Sequence, residues 1–216
     1  MKYDDEHAWM VSGHQVASCR ISDECADVLH KSPVLKSLLG YGLKVGDALY
    51  VCSEGGKLLR FRFDNLQPDT IPIPSPYYDH ETKMEKLADG NILLFMQGMH
   101  LAILSPKTGK IKEMKVAGMP EYGNFDPAFA KLDSYGIVWL GTKRDGLYLI
   151  DMKRKSMRSA KVLNDTHIEG MVEDRNRQLW VTTMRDAFFV TSKSKVFMMS
   201  SLLSASQDRD DWQFYN

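Results

Sequence analysis

The chain has 216 residues, of which 44% are hydrophobic and 26% charged, with 28 basic and 28 acidic side chains. This composition is typical of a soluble globular protein, and the zero net charge argues against nucleic acid or an anionic membrane surface as the main partner. No apolar run approaches the roughly 20 residues of a membrane helix, and the N-terminus lacks the apolar stretch of a signal peptide.

A pattern of paired apolar strands recurs along the chain. Each copy has an aromatic or aliphatic anchor in a short apolar run, then a polar turn and a second apolar run; the anchors are Trp9, Tyr50, Leu93, Trp139 and Trp180. They stand 41, 43, 46 and 41 residues apart, a spacing in the range of propeller blades. The runs are rich in Val, Ile, Leu, Tyr and Phe and are bounded by Gly, Asp and Asn, which indicates strands.

The repeat predicts an all-β fold, a β-propeller of about five four-stranded antiparallel blades. We expect either a closed five-bladed ring or part of a larger, seven-bladed propeller, with residues 1–216 forming a single domain or segment. The blades are predicted near residues 1–22, 41–75, 83–117, 126–162 and 167–200, with 212–216 as the innermost strand of a further or closing blade.

Three local features qualify this pattern. The first blade is expected to lack an innermost strand before Trp9. The segment Asp23–Lys31 has helical periodicity and is predicted as a helix that connects two blades. Arg60 and Arg62 alternate with apolar residues, which predicts a strand with one solvent-exposed face.

The last two repeats carry a more specific signature. Asp133–Thr142 followed by Asp145–Leu147 resembles the two-component regulator propeller repeat, and Ile168–Asp174 with Leu179–Thr183 is similar to the same repeat. The resemblance covers residues 126–191 and is partial in earlier blades; Thr182 stands where the family has Gly. It implies the periplasmic sensor region of Bacteroidetes hybrid two-component histidine kinases, which senses glycan breakdown products, commonly oligosaccharides. The kinase, receiver and DNA-binding parts of such proteins have no counterpart in this sequence.

Polar residues at one end of the blades are the candidate ligand-binding residues. In a propeller, the turns between second and third strands share an end with the residues that lead into the innermost strands, so an axial ligand would contact both. Arg and Tyr at these positions suit a sugar acid or a neutral oligosaccharide, through hydrogen bonds and stacking. The candidates are Lys143, Arg144 and Arg185 from the turns and His80, Tyr122 and His167 from the lead-in residues, with Glu54, Gln97 and Asp126 at equivalent positions.

We therefore expect a ligand-sensing module rather than an enzyme, and the resemblance implies a periplasmic location. The sequence has no Gly-x-Ser-x-Gly, His-Glu-x-x-His or phosphate-loop motif, and its three cysteines and six histidines match no metal-ligand spacing. No catalytic residue, metal or cofactor is predicted. Two alternatives stay open: a protein-interaction scaffold, whose partner would be a neighbouring propeller or a second copy in a homodimer, and a lyase-type propeller that uses His80 and His167.

Overall fold

The secondary structure is almost entirely β. The computed structural model describes residues 1–21, 26–54, 56–73, 82–119, 126–159, 163, 166–183, 187–190, 196–199 and 214–215. In this part of the chain one 3-10 turn, Gln97–Met99, accompanies twenty strands, which form five antiparallel sheets, named A to E in chain order. The predicted all-β class with four-stranded antiparallel sheets is confirmed.

The chain divides into two compact units, and sheets A, B and C lie in the first. This unit comprises Met1–Gln97 and Ala102–Glu113. Sheet A consists of β1 (His7–Val11), β2 (Val16–Ile21) and β3 (Ala26–Lys31). Sheet B consists of β4 (Leu38–Val45), β5 (Ala48–Ser53), β6 (Lys57–Arg62) and β7 (Asp69–Pro72). Sheet C consists of β8 (Lys83–Lys86), β9 (Ile92–Met96), β10 (His100–Leu104, whose first two residues fall in the second unit) and β11 (Ile111–Glu113).

Sheets D and E lie in the second unit, which comprises Gly98–Leu101 and Met114–Asn216. Sheet D consists of β12 (Pro127–Leu132), β13 (Ile137–Thr142), β14 (Leu147–Asp151) and β15 (Ser156–Ser159). Sheet E consists of β16 (Ile168–Glu173), β17 (Leu179–Thr183), β18 (Ala187–Val190), β19 (Val196–Met199) and β20 (Phe214–Tyr215). In each sheet the strands pair in chain order, so every connection within a sheet joins neighbouring strands.

Strand β5 is buried on both of its faces. Leu49 and Val51 pack in a cluster with Trp9 of sheet A, whereas Tyr50 and Cys52 pack in a cluster with residues of sheet C. Successive side chains of a strand point to opposite faces, so a sheet that lies between two others needs apolar residues at consecutive positions. This explains why β5 has a continuous apolar sequence rather than an alternating one.

An aspartate joins the first turn of sheet D to the core of the second unit. The turn Asp133–Gly136 connects β12 to β13, and the Asp133 side chain is buried. Its carboxylate accepts hydrogen bonds from the backbone N–H of Tyr135 (2.9 Å) and Ile137 (2.9 Å) and from Nε1 of Trp139 (2.8 Å). Trp139 in turn packs in the cluster that sheets D and E share. One side chain therefore holds both the hairpin and the orientation of the core indole.

Sheet E repeats this arrangement at its first turn. The carboxylate of Asp174 accepts hydrogen bonds from the backbone N–H of Asn176 (2.8 Å) and Gln178 (2.9 Å) and from Nε1 of Trp180 (3.0 Å). These hydrogen bonds, that from Trp180 above all, stabilise the ionised form and lower the pKa of Asp174.

A short N-terminal stretch takes the place of the innermost strand of sheet A. Tyr3 N donates to His7 O (2.8 Å) and Trp9 N donates to Met1 O (2.8 Å), so residues 1–3 lie beside β1. The sequence predicted that an innermost strand would be missing here. Sheet A accordingly has three strands among the described residues, and residues 1–3 make hydrogen bonds beside β1 without forming a strand.

The same hairpin lacks the aspartate of sheets D and E. Tyr3 stands six residues before Trp9, as Asp133 stands before Trp139. Its ring packs edge-on against the Trp9 indole, with centroids 4.9 Å apart, and stacks on Phe63, the residue after β6, at 4.3 Å. Within the described residues, Nε1 of Trp9 has no hydrogen-bond partner. Aromatic packing here replaces the acceptor that Trp139 and Trp180 have.

Two sequence predictions about the ends of blades need correction. The described part of the predicted helix Asp23–Lys31 is a strand, β3, which pairs with β2. A helix of nine residues is marginal in isolation, and pairing with an existing hairpin satisfies the same backbone groups. Phe214–Tyr215, expected as the innermost strand of a further or closing blade, instead pairs with β19 as the fifth strand of sheet E.

The aspartate of sheet D gives a stability prediction. We expect Asp133→Ala to lower the free energy of unfolding by about 3 kcal/mol, because it leaves the buried Trp139 indole and two backbone N–H groups without an acceptor. Asp89→Ala is the matched control, since Asp89 also accepts a backbone N–H in a first turn but bonds no tryptophan. Urea denaturation compares the two variants, and a loss no larger for Asp133→Ala than for Asp89→Ala contradicts this role.

The lowered pKa of Asp174 gives a pH prediction. A carboxyl whose pKa is lower in the folded state adds stability above its unfolded pKa of about 4, and this stability is lost as the pH falls through the folded pKa. Asp174→Asn should therefore be less stable than the wild type at neutral pH, with a difference that narrows below pH 4. Denaturation midpoints measured from pH 7 to pH 2 check this, with Glu169→Gln as an exposed control in β16. A difference that stays constant over this range would refute the link to ionisation.

Candidate functional site

The turn between the second and third strands of sheet D is tightly fixed. This turn, Thr142–Gly146, contains two of the candidate residues, Lys143 and Arg144. The buried Thr142 hydroxyl donates to Gly146 O (2.9 Å) and accepts from Asp145 N (2.8 Å). Thr142 N also donates to Gly146 O (3.0 Å). A buried side chain therefore helps to set the loop conformation.

Two backbone hydrogen bonds connect this turn to the residues that lead into β12 and β16. Lys143 N donates to Asp126 O (3.0 Å), and Gly146 N donates to Thr166 O (3.2 Å). His167, next to Thr166, is half-buried, Lys143 is half-buried and Arg144 is exposed. The structure thus brings the turn of sheet D to the same end as the lead-in residues Asp126 and His167, within one unit.

The structure describes only some of the other candidate residues. His80, Tyr122 and Arg185 lie outside the described residues. Glu54 is exposed in the turn between β5 and β6, and Gln97 is half-buried in the 3-10 turn. The polar end formed by Thr142–Gly146 with Asp126 and Thr166–His167 is therefore the described part of the predicted site; we call it the D-turn site.

A second polar region, absent from the sequence-based candidates, lies in the first unit between sheets B and C. It is a groove of about 610 Å³ lined by β6, by the turns that connect β4 to β5 and β8 to β9, and by Pro106–Lys107 after β10. We call it the B–C groove. These turns join first to second and third to fourth strands, whereas the D-turn site is built on a second-to-third turn. The charged side chains that line the groove are Asp47, Arg60, Arg62, Lys86, Asp89 and Lys107.

Arg60 and Tyr50 form the inner part of this groove. Arg60 donates to Oδ2 of Asp69 from Nε (3.1 Å) and from Nη2 (2.7 Å), and this hydrogen bonding raises the pKa of Arg60. Tyr50 is 1% exposed, and burial raises the pKa of its hydroxyl although Arg60 beside it acts in the opposite direction. The guanidinium is therefore held between an aspartate and a buried phenol. Arg62 on the same face of β6 is exposed, as the alternation of β6 predicted.

Reactive and metal-binding groups are scarce in the described part of the chain. Burial raises the pKa of the Cys52 thiol to about 12, so this thiol is protonated at neutral pH. Cys19 is also buried, as a free thiol. No three His, Cys, Asp or Glu side chains among the described residues are grouped as a metal site requires. No helix among them has the length and apolar character needed to cross a membrane.

Comparison with solved structures establishes the fold. No family model matches the sequence, and no curated protein matches it. Virginiamycin B lyase from Staphylococcus aureus superimposes with a TM-score of 0.69 at 12% identity, over 94% of this chain and 69% of that chain. The extracellular domain of a hybrid two-component system from B. thetaiotaomicron superimposes with a TM-score of 0.62 at 15% identity, over 91% of this chain and 27% of that chain. YCF48 bound to D1 peptide superimposes with a TM-score of 0.66 at 10% identity, over 87% of this chain and 61% of that chain.

These similarities show that the chain has a β-propeller fold, as the repeat spacing predicted. Proteins with this fold include extracellular domains of Bacteroides two-component systems, the class to which the sequence signature pointed, and also a lyase. The sequence identities to these structures are only 10–16%. At this level a shared fold does not show a shared function, so the function has to be argued from the sites.

The buried threonine gives a prediction for the D-turn site. We expect Thr142→Val to cost about 1–2 kcal/mol of unfolding free energy, because Asp145 N loses its acceptor and Gly146 O loses one of its donors. Thr182→Val in sheet E is the matched control, since Thr182 is exposed and the hydrogen bond from its hydroxyl to Gly170 O is long at 3.4 Å. Urea denaturation measures both, and equal losses would show that the hydroxyl of Thr142 does not fix the turn.

Proposed function

We propose that this chain is the ligand-binding propeller portion of a two-component system sensor, located in the periplasm, and that it binds an oligosaccharide at the D-turn site. The observation that carries the proposal is the pair of backbone hydrogen bonds that join Lys143 to Asp126 and Gly146 to Thr166. They fix a turn that carries Lys143 and Arg144 beside His167, at the end of the blades where an axial ligand would lie. The fold shared with extracellular domains of two-component systems supports the sensory role.

The geometry of this turn suits recognition of a polar ligand. Arg144 presents up to five N–H donors in a planar fork, and Lys143 places a second positive charge in the same turn. Because the backbone beneath them is fixed by Thr142 and by the two lead-in segments, little loop entropy remains to be lost on binding. Hydroxyl-rich sugars match such a donor-rich and preorganised surface.

Two other functions make different predictions in the same experiment. A propeller lyase, the function in the name of the Staphylococcus aureus neighbour, would convert its ligand, and His167 would be required. A protein-interaction scaffold is supported by the neighbour solved with a bound peptide. It would show no response to any sugar and would bind a peptide, a neighbouring subunit or a second copy of itself.

The test is a thermal-shift screen against a panel of oligosaccharides, followed by calorimetry of the best ligand. A ligand at 100 times its Kd adds about 2.7 kcal/mol to the free energy of unfolding. This gain produces a measurable rise in Tm for a domain of this size. We expect one class of oligosaccharide to raise Tm and to be recovered unchanged. A ligand consumed during the incubation would favour the lyase, and the absence of any shift across the panel would contradict sensing of sugars.

Substitution of Arg144 then locates the binding site. We expect Arg144→Ala to raise the Kd of that oligosaccharide about tenfold, which corresponds to the loss of about 1.4 kcal/mol, through removal of a hydrogen-bonding guanidinium. Arg154→Ala is the matched control: Arg154 is an exposed arginine at the opposite end of sheet D, 3.7 Å from Asp151. If both variants bind like the wild type, the ligand lies elsewhere.

A further inference from the structure

We infer that the B–C groove is a second binding site, for a small organic acid of about the size of one sugar ring. This inference does not depend on the proposed function of the D-turn site. It rests on the charge that the groove leaves unneutralised, on its size, and on the fixed side chains that form its inner part.

The groove has an excess of unpaired positive charge. Arg60 is neutralised by Asp69, and the carboxylate of Asp89 accepts hydrogen bonds from N (2.9 Å) and Nδ2 (2.8 Å) of Asn91. Hydrogen bonds from the neutral Asn91 leave the negative charge of Asp89 in place. The charged groups that remain are therefore the three cations Arg62, Lys86 and Lys107 and the two carboxylates Asp47 and Asp89, an excess of one positive charge. Within the described residues, none of these three cations takes part in an ion pair or hydrogen bond. A bound anion would supply the counter-charge.

The cations come from three separate elements that converge on one space. Arg62 ends β6 of sheet B, Lys86 ends β8 of sheet C, and Lys107 lies in the turn after β10. A single strand face with three cations would be an ordinary solvated surface. Here the three residues line one groove from two sheets.

The volume and lining of the groove indicate more than a bare ion. About 610 Å³ lies within the range of small-molecule sites. Tyr50 and the paired Arg60 supply a rigid inner surface, while Val45, Ala48 and Pro106 supply apolar contact. A planar guanidinium beside apolar side chains suits a ring that carries a carboxylate or another oxyanion.

The direct test is a titration at low ionic strength with three probes followed by NMR or calorimetry. The probes are glucuronate, glucose as its neutral counterpart, and inorganic sulfate as a bare oxyanion. We expect saturable binding of glucuronate with a Kd of about 1 mM or below, weaker binding of sulfate, and none of glucose. Three results would each overturn the inference: glucose binds as tightly as glucuronate, sulfate binds as tightly as glucuronate, or glucuronate does not saturate the site at a concentration about ten times this expected Kd.

Two variants assign the binding to the groove. Arg62→Gln with Lys107→Gln should weaken glucuronate binding at least tenfold, whereas Lys57→Gln, an exposed charge at the other end of β6, should leave it within twofold. All three substitutions are at exposed positions, and thermal unfolding verifies that the variants are folded. Arg144→Ala separates this inference from the proposed function. If glucuronate binding is lost in Arg144→Ala but kept in the Arg62→Gln, Lys107→Gln variant, the groove is not the glucuronate site. The oligosaccharide screen tests the D-turn site independently.

Discussion

Burial of both faces of the central strands is the constraint on which the rest of this structure depends. In β5, Leu49 and Val51 pack toward sheet A while Tyr50 and Cys52 pack toward sheet C. Charged side chains are therefore absent from β5, where burial of an unpaired charge would be costly. The charged side chains of both sites lie instead on turns, at strand ends and on β6: those of the D-turn site on a second-to-third turn, and those of the B–C groove where the apolar face of β6 gives way to Arg60 and Arg62.

The aspartate hairpin shows how turns are tied to these apolar cores. Asp133 and Asp174 each satisfy two backbone donors of a turn and one buried indole, which fixes the turn relative to the core. Sheet A reaches a similar geometry with Tyr3, whose ring packs on Trp9 and Phe63 and whose carbonyl accepts from Lys44. The hairpin is thus the same in the three sheets, but an aromatic ring stabilises it in sheet A and an aspartate in sheets D and E. This difference explains why the first blade has a weaker sequence signature than the last two.

Most of the fold was predictable from sequence because its signals are local. Anchor spacing and Asp-rich turns located the five strand pairs, and the alternation at Arg60 and Arg62 indicated a half-solvated strand. The predicted helix is wrong for Ala26–Lys31 because the periodicity of this segment is compatible with a helix, whereas its pairing with β2 depends on a neighbouring hairpin. The B–C groove could not be predicted, since Lys86 and Lys107 approach Arg62 only when two sheets pack face to face. The D-turn candidates were found because blade topology alone places second-to-third turns and lead-in residues at one end.

Fold and recognition are carried by different side chains at the D-turn site. Thr142 is buried and holds the loop, whereas Arg144 is exposed and bonds no neighbour among the described residues. The connections to Asp126 and Thr166 are made by backbone atoms, so they do not depend on the side chain of Arg144. A loop built in this way can change its ligand by substitution of exposed residues without loss of stability. The same separation holds in the B–C groove, where Arg60 is engaged with Asp69 while Arg62 is not, so binding and stability can be measured independently at each site.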